Sequence, residues 1–220
     1  MHEFTYDNGV LLLHEKENKV IVKSYGDSGF TKSRIFPTVT YPLPPGPIKV
    51  STMDNTEEVT DQKFLNLVDR VPYLLGKCFS VSKNLSILAK HSGFSIETYV
   101  GWYFLDAGEP VFHCFTVLDG KHVVDLSDDS VLIDSIMRSD PYNRSKFIET
   151  KKWALSLKNS VRCKPLGKVS QNQFYIGCPC HPDIGKRILN ELLSRFPDHP
   201  AFSKVDSDGM TKTQRLIIDK

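Results

Sequence analysis

The stretch from Cys78 to Asp125 is the tightest constraint on what this chain can become. From Cys78 the apolar residues fall at Val81, Leu85, Leu88 and Ala89, close to helical spacing, and Gly93 stops the run. Pro72 and Gly76 lie just upstream, so Cys78 falls at or near the helix N-terminus. Residues 98–104 and 110–117 then read as strands, a turn falls at Asp119-Gly120, and 121–125 reads as the returning strand. A thiol opens a helix, His113 lies in a strand, and Asp125 lies in the strand that follows. That is the order nucleophile, base, orienter.

Each position has a physical argument. At a helix N-terminus the dipole favours thiolate over thiol, and the free backbone N–H groups there can hold an oxyanion. With Leu118-Asp119-Gly120 as a three-residue loop and Gly in the left-handed region, Val117 pairs with Lys121. Counting back places His113 directly opposite Asp125. Directly opposed side chains share a face with Cβ atoms about 5 Å apart, near enough for Asp125 to hold the imidazole in one tautomer. A two-residue Asp119-Gly120 turn shifts the register by one and sends the two side chains to opposite faces. The triad therefore depends on one turn. His122 is a weaker rival base, on the face opposite Asp125.

The phrase from Gly108 to His113 (Gly-Glu-Pro-Val-Phe-His), then Asp119-Gly-Lys-His-Val-Val-Asp125-Leu-Ser, behind a helix-starting Cys78, resembles the papain-like and transglutaminase-like cysteine fold. The resemblance covers about residues 73–130. It implies that Cys78 is the nucleophile, His113 the base and Asp125 the orienter. Cys114 departs from the pattern, because many members carry a small residue or Trp directly after the His. The pattern also leaves the oxyanion side chain unassigned, with Gln62 and Asn66 as candidates.

The rest of the chain narrows the class. It has 220 residues, 40% of them hydrophobic and 25% charged, the composition of a globular protein. A net charge of +2 argues against nucleic-acid and membrane partners. No apolar run approaches the roughly 20 residues of a membrane span. The start, Met-His-Glu-Phe-Thr-Tyr, lacks the order of a signal peptide. The expectation is a soluble, cytoplasmic protein whose five cysteines are reduced thiols. Alanine occurs only at 89, 107, 154 and 201, a bias that hints at an AT-rich genome, with a viral source among the options.

Residues 1–25 read as a β-hairpin, 30–41 as a further strand and Pro42–Pro47 as a stiff connector. A helix is expected over 55–71, capped by Thr60 or Asp61, with Phe64, Leu65 and Val68 on its apolar face. Further helices are expected over 130–137, 144–157 (carrying Trp153 as a packing residue) and 184–196, with a short strand over 173–176. The division is an N-terminal β region with linker at 1–47, the cysteine domain at 48–202 and a tail at 203–220.

Cys178-Pro-Cys180-His181, with Cys163 upstream, brings together thiols and an imidazole. Cys-x-Cys is not the usual zinc knuckle, so the cluster reads as a turn into the following helix, with no metal and no cofactor. Tyr99 and Trp102 precede the His hairpin. Core packing is their default, and a wall of a substrate groove is the functional alternative. The fold class is thus α+β, an antiparallel sheet packed on the Cys-bearing helix with an N-terminal β extension. The expected function is thiol-dependent acyl transfer on a protein or peptide substrate or a small amide. The alternative is a non-catalytic binding protein on the same fold that sequesters a partner protein or small ligand.

Overall fold

The computed structural model describes residues 2–6, 9–16, 19–25, 40–72, 77–105, 111–127, 166–169 and 173–195. The expected strand over 30–39, the helices over 130–137 and 144–157 with Trp153, Cys163 and the tail from 203 lie outside the described residues.

The chain builds two antiparallel sheets. The first contains β1 (His2–Tyr6), β2 (Gly9–Lys16), β3 (Lys19–Tyr25) and β4 (Thr40–Pro42), in that spatial order. The expected hairpin over 1–25 gains a third strand, because Tyr6 pairs with Gly9. β2 keeps the polar Glu15 and Lys16, and Lys16 pairs with Lys19.

The second sheet has β5 (Lys49–Ser51), β6 (Ile96–Leu105), β7 (Val111–Leu118), β8 (His122–Val124), β9 (Leu166–Gly167) and β10 (Gln173–Pro179). Their spatial order is β5-β10-β6-β7-β8-β9, and every pairing is antiparallel. Three helices complete the described part: α1 (Gln62–Val68), α2 (Cys78–His91) and α3 (Pro182–Arg195). The class is α+β, and α2 packs against β6 and β7. None of these helices is long and apolar enough to cross a membrane.

Alternation along the strands sorts side chains onto two faces. One face carries Val100, Trp102, Phe104, Phe112, Cys114, Phe174, Ile176 and Cys178, packed with Leu189 and Leu192 of α3. The same side continues under α1 and α2, where Phe64, Leu67, Val81, Leu85 and Ala89 meet Ile96, Leu118 and Val124. The other face carries Tyr99, Tyr103, Phe115, Val117, Val123 and Tyr175. Both faces are covered, which is why 99–104 reads Tyr-Val-Gly-Trp-Tyr-Phe without a polar gap.

The helix expected over 55–71 is shorter than its pattern. Met53–Asn55 is a single 3₁₀ turn, and α1 begins only at Gln62, where Asp61 Oδ1 accepts from Lys63 and Phe64 N–H at 2.7 and 3.1 Å. The residues between run extended. Val59 N–H donates to Leu166 O at 3.0 Å, and Val169 N–H to Thr56 Oγ1 at 2.9 Å. Val59 N–H, taken by Leu166 of β9, is not free to continue a helix. The proline connector is anchored as well, since Leu43 is buried in the α3-side core.

Two glycines are required for different reasons. A Cβ at Gly101 would sit 2.0 Å from Ile176 O and 2.6 Å from Gly177 Cα, so β6 and β10 approach too closely for any side chain. Gly120 has φ +72° with open space around it. Gly101→Ala is expected to lose about 3 kcal/mol by urea unfolding, because backbone must move. Gly120→Ala is expected to lose about 1 kcal/mol, the cost of the left-handed conformation alone. Equal losses would contradict this account.

Candidate active site

Cys78 is the first residue of α2. Lys77 O accepts from Val81 N–H at 2.9 Å and closes the first turn. Lys77 gives that terminus no side-chain cap. The N–H groups of Cys78, Phe79 and Ser80 thus have no acceptor within the helix. The Cys78 side chain is half-buried, against the α3-side core. One turn later Ser82 is buried and donates its hydroxyl to Cys114 O at 2.9 Å. That bond ties the start of α2 to the residue next to His113. A buried Ser at a position where the helical pattern calls for an apolar residue was the available signal, and the sequence reading did not use it.

The hairpin register differs from the expectation. Asp119 and Gly120 both take positive φ, 51° and 72°, and Lys121 N–H bonds Leu118 O at 3.1 Å. The loop is Asp119-Gly120-Lys121, and Leu118 pairs with His122, Val117 with Val123 and Thr116 with Val124. Continued, that register sets Phe115 opposite Asp125, not His113. The slip from the expected pairing is two residues rather than one, so the parity of the faces survives. His113 and Asp125 become diagonal neighbours on one face, still within reach for long side chains.

Their side chains meet. His113 Nε2 and Asp125 Oδ2 are 2.7 Å apart, and the two side chains are 2% and 0% exposed. Asp125 has three further hydrogen bonds. Tyr175 OH donates to Oδ2 at 3.0 Å, and Ser127 N–H and Oγ–H both donate to Oδ1 at 3.0 Å. Neither Tyr175 nor Ser127 was singled out from the sequence. Tyr175 lies 50 residues from Asp125, and no local pattern joins them.

The electrostatics follow. Burial works against a charged His113, yet the Asp125 carboxylate, then Cys78, outweigh it and hold the imidazole well above its ordinary pKa. Cys78 acts on the ring both by charge and as a hydrogen-bond partner. Burial alone would raise Asp125, but the His113 charge and its hydrogen bonds hold the carboxyl below its ordinary value.

The other cysteines differ. Cys114 is fully buried on the opposite face of β7, and burial pushes its thiol well up. Cys178 is buried with its S–H toward Gly46 O at 3.6 Å. Half-buried Cys180 is also raised by burial. Among the described residues no group of three His, Cys, Asp or Glu side chains is placed to hold a metal ion.

Several residues named from the sequence lie elsewhere. Trp102 is fully buried against Phe112 in the α3-side core. Tyr99 is buried on the other face, stacked on Phe115, with its hydroxyl on Glu97 and its pKa pushed by burial to about 12. Gln62 donates to Asn66 at 2.8 Å, and Asn66 lines a surface cleft with Ser92 and Phe94, beyond the C-terminal end of α2. A helix of 14 residues is about 20 Å long, so neither is an oxyanion donor for Cys78. His122 Nδ1 is held by Glu57 O at 2.7 Å, away from the pair.

No protein-family model, curated protein or solved structure matches this chain.

The buried pair makes stability depend on pH at both ends. The folded pKa of His113 is raised, so its contribution is complete below 6.5 and lost as pH rises through the raised value. The folded pKa of Asp125 is lowered, so its contribution is complete above 3.8 and lost as pH falls through the lowered value. Asp125→Asn is expected to cost about 3 kcal/mol between those limits, with the gap to wild type narrowing on either side. Urea unfolding from acid to alkaline pH checks this, and a gap independent of pH would contradict the ion pair.

Proposed function

We propose that this chain is a thiol-dependent acyl-transfer enzyme of the papain-like and transglutaminase-like kind, acting on a peptide bond or a glutamine-type amide. The observation that carries the reading is the buried His113–Asp125 pair, closed at Nε2 over 2.7 Å, with the helix-starting Cys78 among the groups that hold the imidazole toward its charged form. Cys78 sulfur attacks the carbonyl carbon and the carbonyl oxygen takes the electron pair. N–H groups at the start of α2 are the donors nearest to that oxyanion. The C–N bond then breaks, His113 gives its proton to the leaving amine, and a thioester remains. Water or an acceptor amine attacks the thioester while His113 takes a proton back. Cys78 leaves as sulfur and the cycle closes. Water makes the protein a protease or amidase, and an amine makes it a transferase. Asp125 keeps the ring oriented and compensates its charge throughout.

A second reading draws on the burial of His113 and Asp125. It is a binding protein that keeps the fold and uses this polar centre only for structure.

Iodoacetamide modification read cysteine by cysteine with peptide mass spectrometry separates the two. The enzyme reading expects Cys78 to react faster than Cys180, which is also half-buried. It expects His113→Ala, checked for folding by circular dichroism, to slow Cys78 by about tenfold or more. If Cys78 reacts no faster than Cys180 and ignores the loss of His113, the nucleophile assignment is wrong and the binding reading takes its place.

A further inference from the structure

The lone pairs of Asp125 are fully used. A carboxylate offers roughly four acceptor sites. Here they are taken by His113 Nε2, Tyr175 OH, and the N–H and Oγ–H of Ser127. Ser127 lies two residues along the chain, so its two bonds are local. Tyr175 is different. It belongs to β10, which is separated from β8 by β6 and β7. On a flat sheet three strand spacings span about 14 Å. A 3.0 Å bond across them exists only because the sheet curls and brings the ends of the face together.

The ring of Tyr175 is held in place for that reach. It is fully buried, 4.6 Å from the ring of Tyr103 and 4.8 Å from that of Phe115. Tyr103 is fixed in turn by Gln173 Nε2, which donates to its hydroxyl at 2.7 Å. The ring of His113 lies 6.4 Å from that of Tyr175. Between the two strands, β6 presents Gly101 opposite both His113 and Gly177, so no side chain rises from the sheet at that point. Tyr175 donates its hydroxyl proton to Oδ2, the same oxygen that receives His113.

We propose that Tyr175 is a positioning residue for the Cys78–His113 pair: its hydroxyl locks the Asp125 carboxylate in plane and keeps the shared proton on the imidazole rather than on the acid. This deepens the acyl-transfer reading and rests on it for the role of Cys78. The chemistry is direct. A donor on Oδ2 makes that oxygen a weaker base. Remove the donor, and Oδ2 pulls harder on the Nε2 proton while the carboxylate gains freedom to turn. The imidazole then holds its proton to higher pH and aligns less well with the sulfur.

Tyr175→Phe removes the hydroxyl and keeps the ring packing. In this variant the titration of His113, followed by ¹⁵N NMR of the labelled imidazole, is expected to move upward by about half a pH unit. Alkylation of Cys78 is expected to slow several-fold across its pH profile, because the imidazole aligns less well with the sulfur. Replacing Tyr175 with 3-fluorotyrosine, a stronger donor of nearly the same size, is expected to move the titration downward. This substitution decides the matter if the Phe variant fails to fold. A merely structural Tyr175 would lower the unfolding midpoint while leaving both the titration and the profile in place, and that result overturns the proposal. The titration reads His113 and Asp125 whether or not Cys78 is a nucleophile. A wild-type Cys78 without His113-dependent reactivity would therefore sink the acyl-transfer reading, and the NMR result would still decide the role of Tyr175.

Discussion

An imidazole and a carboxylate enclosed together, with almost no contact with water, are expensive to fold around. Removing each charge from water costs several kcal/mol, and their attraction offsets this only if the geometry is good and the remaining lone pairs are satisfied. The His113–Asp125 pair meets both conditions, at 2.7 Å with every acceptor site of the carboxylate occupied. Much of the second sheet can be understood as serving that pair. Its curl brings β10 to the end of β8, Gly101 leaves the surface beside His113 without a side chain, and Tyr103, Phe115 and Tyr175 enclose the centre in aromatic rings. A core built only for stability would place apolar groups here, because such a replacement is often neutral or stabilising.

Burial also separates Cys78 from the other described cysteines. For Cys114 desolvation is the largest influence and favours the neutral thiol. A thiol in such a place behaves as a small apolar side chain. Cys78 is only half-buried, begins a helix, and stands beside an imidazole held toward its charged form. The chain thus distinguishes its thiols by environment, not by residue type. Ser82 makes the arrangement rigid, since its bond to Cys114 O fixes the first turn of α2 against the strand that carries His113.

Elements whose apolar residues repeat regularly were legible from the chain alone. α2 runs from Cys78 to His91 as its spacing implies, and α3 and the β6–β8 hairpins fall where expected. The helix over 55–71 was misplaced because in its first half Val59 N–H bonds Leu166 O and Thr56 Oγ1 accepts from Val169 N–H, contacts more than 100 residues away that no local pattern encodes. The same limit hid Tyr175. The hairpin is the instructive case. The loop begins one residue later than expected and the pairing shifts by two, yet His113 and Asp125 still share a face, because faces repeat every second residue. Parity was readable, whereas the opposing partner depended on Asp119 and Gly120 both taking positive φ.

The two faces of the sheet divide the work, and this explains why the site lies where it does. The even-numbered residues of β7, Phe112, Cys114 and Thr116, look toward the helices, while His113 shares the other face with Tyr103 and Tyr175. A helix packed on one face has no direct line to an imidazole on the other. β8, however, pairs only with Thr116, Val117 and Leu118, so the earlier part of β7 has a flank that β8 leaves uncovered. The start of α2 is pinned at that level by Ser82, and Cys78 acts on the ring there.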